Sequence, residues 1–145
     1  TRLVSDWSSD VCSSDLTPGF DPRFSITLDF RENKTGCSHV ETARTVRELC
    51  DLLKEGDAKD FARLFRAPGH IPLIVGTKGL LKERNGHTEL ILALAVNQGL
   101  FPMVVASEMI DAESGHSTTY DDARKYGEQR GLDFIGGNEL MEAYG

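Results

Sequence analysis

The chain is predicted to be an α/β domain, a mixed sheet with helices packed on it. Three observations predict this. The stretch FSITLDF, Phe24–Phe30, alternates apolar and polar residues at every step, the pattern of a half-buried strand. Short apolar runs recur at residues 71–75, 103–106 and 132–135. Between them lie stretches with apolar residues at helical spacing. A length of 145 residues with 39% apolar content suits one domain with one core.

Each element follows from local chemistry. Thr35-Gly36 turns the chain after the first strand. Ser38 followed by Glu41 forms a capping box, in which each side chain satisfies a free amide of the first helical turn. Val40, Ala43, Val46, Leu49, Cys50 and Leu53 then follow at helical spacing, and Gly56 stops the helix. Asp57 caps a second, short helix through Phe61 and Leu64. Pro68 breaks it at Arg66-Ala-Pro-Gly-His70, because proline disfavours helical geometry in the residue before it. Residues 71–75 form a short strand, with Pro72 at a sheet edge or an irregular start. Gly76 and Gly79 mark a turn.

Thr88 or a neighbour caps a helix over residues 89–98, apolar nearly all round and therefore buried, which Gly99 ends. Residues 103–106 form a buried strand leading to Ser107-Glu108, and residues 111–118 a polar loop. Thr118 or Thr119 starts a helix that Gly131 ends after Arg130. Residues 132–135 are a last strand and residues 139–144 a last helix. No internal repeat is present.

The net charge of -7 argues against a nucleic-acid-binding surface. No apolar run is long enough to span a membrane, and no signal segment opens the chain. Cys12, Cys37 and Cys50 are odd in number and lack CxxC spacing, which reads as reduced thiols in a cytoplasmic protein.

Three stretches fall at element ends, where α/β proteins place their sites. In Arg84-Asn85-Gly86-His87-Thr88-Glu89, a glycine before a helix lets backbone amides approach a ligand, and the helix N-terminus favours anions. Arg84 adds a fork of donors suited to phosphate, Thr88 a hydroxyl, and His87 a metal ligand or proton carrier. A surface turn with a capping threonine fits the same residues. His70, after Pro-Gly, is either a structural loop histidine or part of a site. Glu108, after an apolar run, either points to solvent or sits in a pocket, where burial would raise its pKa and suit it to acid/base work. His116 and His39 read as solvated, and Cys37 as a small packing residue.

In their order and spacing, FSITLDF, TGCS, RAPGHIPL, RNGHTE, SEMID and the closing helix–strand–helix resemble the 3,4-dihydroxy-2-butanone 4-phosphate synthase family of riboflavin biosynthesis, in a form similar to archaeal members. The resemblance runs from Phe24 to Tyr144. It implies conversion of D-ribulose 5-phosphate to 3,4-dihydroxy-2-butanone 4-phosphate and formate by a homodimer with sites at the dimer interface. Mg2+, or Mn2+, would be the cofactor.

Residue by residue, the resemblance makes His70 and Glu108 catalytic and His87 a metal ligand. Arg84, Asn85, Gly86, His87 and Thr88 match the segment holding the substrate and its phosphate. Glu108 also contacts the sugar, and Thr35 lines the site. The departures are Ser107 for cysteine, Asn85 for glycine, Glu41-Thr42 for Asp-Arg, and His116 in a loop usually without histidine. Thr42 removes one polar contact that the family's arginine makes. Nothing matches the family's acidic, arginine-containing stretch that supplies the other metal ligand; Arg31-Glu32-Asn33 follows the FSITLDF strand, in the wrong place.

The expectation is therefore the C-terminal part of a single synthase domain over residues 24–145, inactive or nearly so and poorly folded alone. A non-catalytic metal- and sugar-phosphate-binding module is the alternative, and a generic α/β domain with structural motifs a third. Ahead of it, SDWSSDVCSSDL offers no helical stripe or sustained alternation. Residues 6–16 back-translate in one frame to a string resembling a short-read sequencing adapter. Residues 1–16 are set aside as artefactual or disordered, and residues 17–23 as a linker. Setting them aside removes Arg2 against Asp6, Asp10 and Asp15, which takes the net charge from -7 to -5.

Overall fold

The computed structural model describes residues 24–55 and 58–145. The segment set aside at 1–16, the linker at 17–23, the stop at Gly56 and the cap at Asp57 lie outside the described residues.

The class is α/β, with helices packed on a small sheet. β1 (Phe24–Phe30) leads through a turn to α1 (His39–Glu55), a 3₁₀ turn (Ala58–Asp60) and α2 (Phe61–Leu64). β2 (Phe65–Ile74) returns antiparallel to β1. A second 3₁₀ turn (Leu80–Lys82) precedes α3 (His87–Asn97), followed by α4 (Tyr120–Arg130) and α5 (Gly137–Tyr144).

The sheet differs from expectation. Among the described residues it has two strands, both antiparallel, in place of a mixed sheet. Residues 103–106 and 132–135 are not strands. Residues 102–104 and residues 73–75 line one apolar cleft of about 460 Å³ without a strand ladder between them. A strand needs a ladder partner as well as apolar side chains, and Pro102 has no N–H to offer one.

β2 begins earlier than predicted, at Phe65, and takes in the RAPGH stretch read as a helix breaker. The register explains how. Leu28 pairs with Ile71, yet the next residue, Asp29, pairs with Arg66. Residues 67–70 are thus extruded opposite a single step of β1, a large bulge of the kind that re-aims a side chain. Pro68 fits there because a bulge needs no ladder N–H. Gly69 is required: a Cβ at this position would lie 2.1 Å from the Leu28 carbonyl carbon.

Two apolar clusters hold the fold. Leu28, Phe30 and Phe65 of the sheet pack on Leu49 and Leu52 of α1. Burying a leucine such as Leu28, fully enclosed, contributes roughly 1.5–3 kcal/mol. Leu81, Leu90, Ala93 and Leu140 form the second cluster, joining α3 to α5 and the second 3₁₀ turn. The inner face of α1 is Thr45, Val46, Leu49 and Leu52. Val40 and Leu53, at helical spacing in the sequence, are exposed instead.

Capping chemistry sets the later helices. The Thr119 hydroxyl accepts from the Asp122 amide at the start of α4, and Gly131 ends it at φ +63°. α3 starts two residues earlier than predicted: Gly86 is its N-cap, without a side-chain cap bond, so His87 and Thr88 lie in the first turn. α3 is also less enclosed than its apolarity suggests, with Val96 exposed. No helix among the described residues is long and apolar enough to cross a membrane.

Candidate functional site

The β2 bulge presents His70 at the sheet edge. Its ring Nδ1 lies 2.7 Å from the Asp29 carboxylate, and its backbone N–H donates to the same carboxylate at 3.1 Å. Asp29 is 1% exposed whereas the His70 side chain is 50% exposed, so a buried acceptor holds an accessible imidazole. The Arg66 guanidinium, 3.4 Å away, supplies the cation that a buried carboxylate needs. The bulge is further tied down by the Gly69 N–H, which donates to the Thr27 hydroxyl at 3.1 Å.

The turn after β1 closes on this pair. Gly36, at φ +84°, lies so close to Asp29 that a Cβ would sit 2.6 Å from its carboxylate. Only a glycine takes this backbone conformation and leaves room for the carboxylate. The same turn is clamped by Glu41, the third residue of α1. Its carboxylate accepts from the amides of Lys34, Thr35 and Gly36 at 2.7, 3.2 and 3.0 Å, and from the Thr35 hydroxyl at 2.6 Å. These bonds, with the Thr35 hydroxyl foremost, lower the Glu41 pKa to about 2. One half of the capping box stands, since the Ser38 hydroxyl accepts from the Glu41 amide. The carboxylate itself turns outward to the loop. Thr35, assigned by resemblance to the site, has its hydroxyl committed to Glu41.

The Arg84–Thr88 stretch wraps the start of α3. Glu89 is fully buried; its Oε1 accepts from the Thr77 amide at 3.1 Å, and its Oε2 lies 3.5 Å from Arg84 Nη1. Gly86 is pressed against this carboxylate, for a Cβ there would be 2.9 Å from Oε2. Arg84 is therefore not a freely mobile cation. Its side chain is only 18% exposed and ion-paired with Glu89 through Nη1, and its Nε has no hydrogen-bond partner among the described residues. Asn85 and His87 are exposed and Thr88 is half-buried. The first-turn amides of α3 and its positive dipole end favour an anion beside them.

His87 and Glu108 line one open cleft of about 510 Å³, which Ser107, Tyr120, Phe134 and Ile135 also border. Glu108 is half-buried. Thr88 lines the apolar cleft on the other side of α3. His70 lines neither cleft. The structure thus brings together His87 with Glu108, and separately His70 with the Thr35-Gly36 turn. The His87–Glu108 cleft offers one imidazole and one carboxylate. Among the described residues no group of three or more His, Cys, Asp or Glu is arranged for a metal. These residues alone do not complete a divalent-cation site.

His116 and His39 are exposed, as read from the sequence. Cys37 is not a packing residue; it too is exposed, in the Thr35-Gly36 turn. Asp29, Glu41 as a loop clamp and Glu89 were not legible as site residues. Strict alternation puts Asp29 on the polar face of β1, but Leu28, Asp29 and Phe30 are all buried. Among sequence signals, only the PGH motif on the partner strand hints that this strand end faces a histidine.

The family model described as 3,4-dihydroxy-2-butanone 4-phosphate synthase matches residues 11–143, a stretch that starts ahead of Phe24 and reaches into the segment set aside. The 3,4-dihydroxy-2-butanone 4-phosphate synthase of Methanosarcina mazei is 37% identical over 146 residues, covering 97% of this chain and 59% of that protein. The riboflavin biosynthesis protein RibBA of Staphylococcus aureus is 36% identical over 124 residues, covering 85% of this chain and 30% of that protein. The crystal structure of the Candida albicans synthase superposes with a TM-score of 0.75 at 32% identity, covering 98% of this chain and 69% of that one. The chain spans about half the length of the curated synthases it matches.

Proposed function

The chain belongs to the 3,4-dihydroxy-2-butanone 4-phosphate synthase family, enzymes of riboflavin biosynthesis, and from that premise we propose that the protein is a carbon–carbon lyase converting D-ribulose 5-phosphate to 3,4-dihydroxy-2-butanone 4-phosphate and formate. The observation that carries this reading is the cleft shared by His87 and Glu108. It joins two motifs that lie apart in sequence at the start of one helix, where a sugar phosphate's anionic group is favoured.

The reaction starts by removing a proton beside a carbonyl to form an enediol. Protons must then move through a dehydration, a skeletal shift and the loss of formate. His70 and Glu108 are the acid/base pair of this reading. Arg84, Asn85, Gly86, His87 and Thr88 hold the substrate, with Thr35 at the site's edge. Mg2+ or Mn2+ belongs to the same reading, with His87 as a ligand, and the remaining ligands would come from outside the described residues. A homodimer with sites at its interface, and a cytoplasmic protein with no nucleic-acid or membrane partner, complete the reading; the unpaired thiols of Cys37 and Cys50 are in keeping with that compartment.

A second reading, a sugar-phosphate-binding module without turnover, is favoured by the incomplete metal donor set among the described residues and by the Glu89 carboxylate that already engages Arg84. Formate release from ribulose 5-phosphate separates the two. The 145-residue chain alone is expected to release little. A chimera of residues 24–145 with the preceding part of the Methanosarcina mazei synthase is expected to release formate, and to lose this with His70→Ala or Glu108→Gln. A chimera that folds and binds ribulose 5-phosphate without releasing formate supports the second reading. One that folds and neither binds nor turns over refutes both.

A further inference from the structure

We propose that Asp29 is the positioning residue of His70: its buried carboxylate fixes the imidazole as the Nδ1–H tautomer and directs Nε2, as the basic nitrogen, away from the sheet. The inference rests on the reading of His70 as an acid/base group and adds a residue to it.

Four observations carry it. First, Asp29 contacts His70 twice, through ring Nδ1 at 2.7 Å and through the backbone N–H at 3.1 Å. Two contacts to one carboxylate fix both the position of the residue and the rotation of its ring. Second, the exposure is one-sided, 1% for the carboxylate and 50% for the imidazole. A structural pair buried for its own sake would enclose both partners. Third, the surroundings are shaped around the carboxylate. Gly36 omits the Cβ that would strike it, and Gly69 omits the Cβ that would stop the bulge from approaching β1. Fourth, β1 and β2 leave their register at this step, so the backbone gives up regular pairing where His70 is delivered.

An ionised carboxylate only accepts hydrogen bonds. The neutral imidazole 2.7 Å from it must therefore carry its proton on Nδ1, which leaves the Nε2 lone pair available. The same logic orients histidines in hydrolytic triads and in metal sites, where the second nitrogen's partner sets the tautomer of the first. Arg66, at 3.4 Å from Asp29 Oδ2, the oxygen that also meets the imidazole, balances the carboxylate's charge at a longer distance than the 2.7 Å imidazole contact.

The test is the imidazole nitrogen spectrum of the 15N-labelled 145-residue chain, at a pH where His70 is neutral. The expected result is Nδ1 at the pyrrole-type position and Nε2 at the pyridine-type position. Loss of that preference is expected in Asp29→Asn, whose carboxamide can donate as well as accept. The same loss is expected in Gly36→Ala, which keeps the carboxylate but displaces it. A wild-type ring that is mainly Nε2–H in a chain folded by circular dichroism overturns the proposal without any variant. So does an Asp29→Asn variant that is folded by circular dichroism and keeps the wild-type tautomer. Where the chain alone is unfolded, the same spectrum of the folded chimera decides the proposal. No substrate or metal enters this measurement. A folded chimera of residues 24–145 with the preceding part of the Methanosarcina mazei synthase that is inactive yet keeps the Nδ1–H tautomer refutes the lyase reading alone, and an active chimera with the opposite tautomer refutes the positioning role alone.

Discussion

Glu41 holds Thr35 by a hydroxyl-to-carboxylate bond of 2.6 Å, and the same carboxylate gathers three backbone amides of the turn that lies against Asp29. The carboxylate's pKa falls to about 2 from an ordinary 4.5. A depressed folded-state value means the unfolded state takes up protons first as pH falls. The stabilisation is therefore fully present above about 4.5 and fades as pH drops through about 2. In urea unfolding at pH 6 and at pH 3, the wild-type chain is expected to lose more stability on acidification than Glu41→Gln. Equal losses in the two proteins would show that the clamp does not outlast the unfolded carboxylate.

Gly69 is the second point of dependence. Its missing Cβ would lie 2.1 Å from a backbone carbon of Leu28, which cannot swing aside as a side chain can. Gly69→Ala must therefore push the bulge off β1 or unfold the strand end. The expected cost is at least ~3 kcal/mol, the upper end for overpacking a core. The same step should detach His70 from Asp29. An unchanged urea midpoint would contradict the close approach of the two strands.

Thr45 tests a polar element of the core. Its hydroxyl accepts from the Phe30 amide at 3.1 Å and from Asn33 Nδ2 at 2.8 Å, and donates to the Glu41 carbonyl at 3.0 Å. Thr45→Val keeps the shape and leaves the buried Phe30 N–H without this acceptor. The expected loss is about 1–3 kcal/mol, although valine is the more apolar residue. A variant as stable as wild type would show that water or a local shift satisfies the amide.

These residues also show what the sequence discloses. The helix over 120–130 was readable because Thr119 and Gly131 act on their own neighbours, so cap chemistry needs no tertiary context. The start of β2 was not readable. Pro68 and Gly69 carry the local signal of a chain break, and only pairing with β1, far away in sequence, turns that break into a bulge. Residues 103–106 and 132–135 were apolar enough to suggest strands, but apolarity names neither a hydrogen-bonding neighbour nor a covering layer: residues 103–106 are only half-buried, and Leu132 and Ile135 are exposed. The site shows the same division. His70, His87 and Glu108 stand in recognisable motifs, whereas Asp29 and Glu89 look like polar-face residues until the fold buries them. Alternation along β1 assigns Asp29 to solvent, and the extra enclosure by the Gly36 turn reverses that.

His87 supports the last prediction. A divalent cation of the Mg2+ or Mn2+ type seeks about six ligands in octahedral geometry and keeps waters where protein donors are few. The His87–Glu108 cleft offers one nitrogen and one carboxylate, so that cleft should bind Mn2+ weakly. Paramagnetic broadening of amide signals should centre on the start of α3 and on Glu108. Ribulose 5-phosphate should tighten the binding, because adjacent sugar oxygens add ligands beyond the two donors that the cleft's described residues offer. With so few donors, losing one removes a large share of the affinity. His87→Ala should weaken Mn2+ at least by the ~10–100-fold that losing an outer-shell partner costs. Broadening that persists at the same residues and the same Mn2+ concentration in His87→Ala would remove His87 from the ligand set and leave it a role in holding the substrate alone.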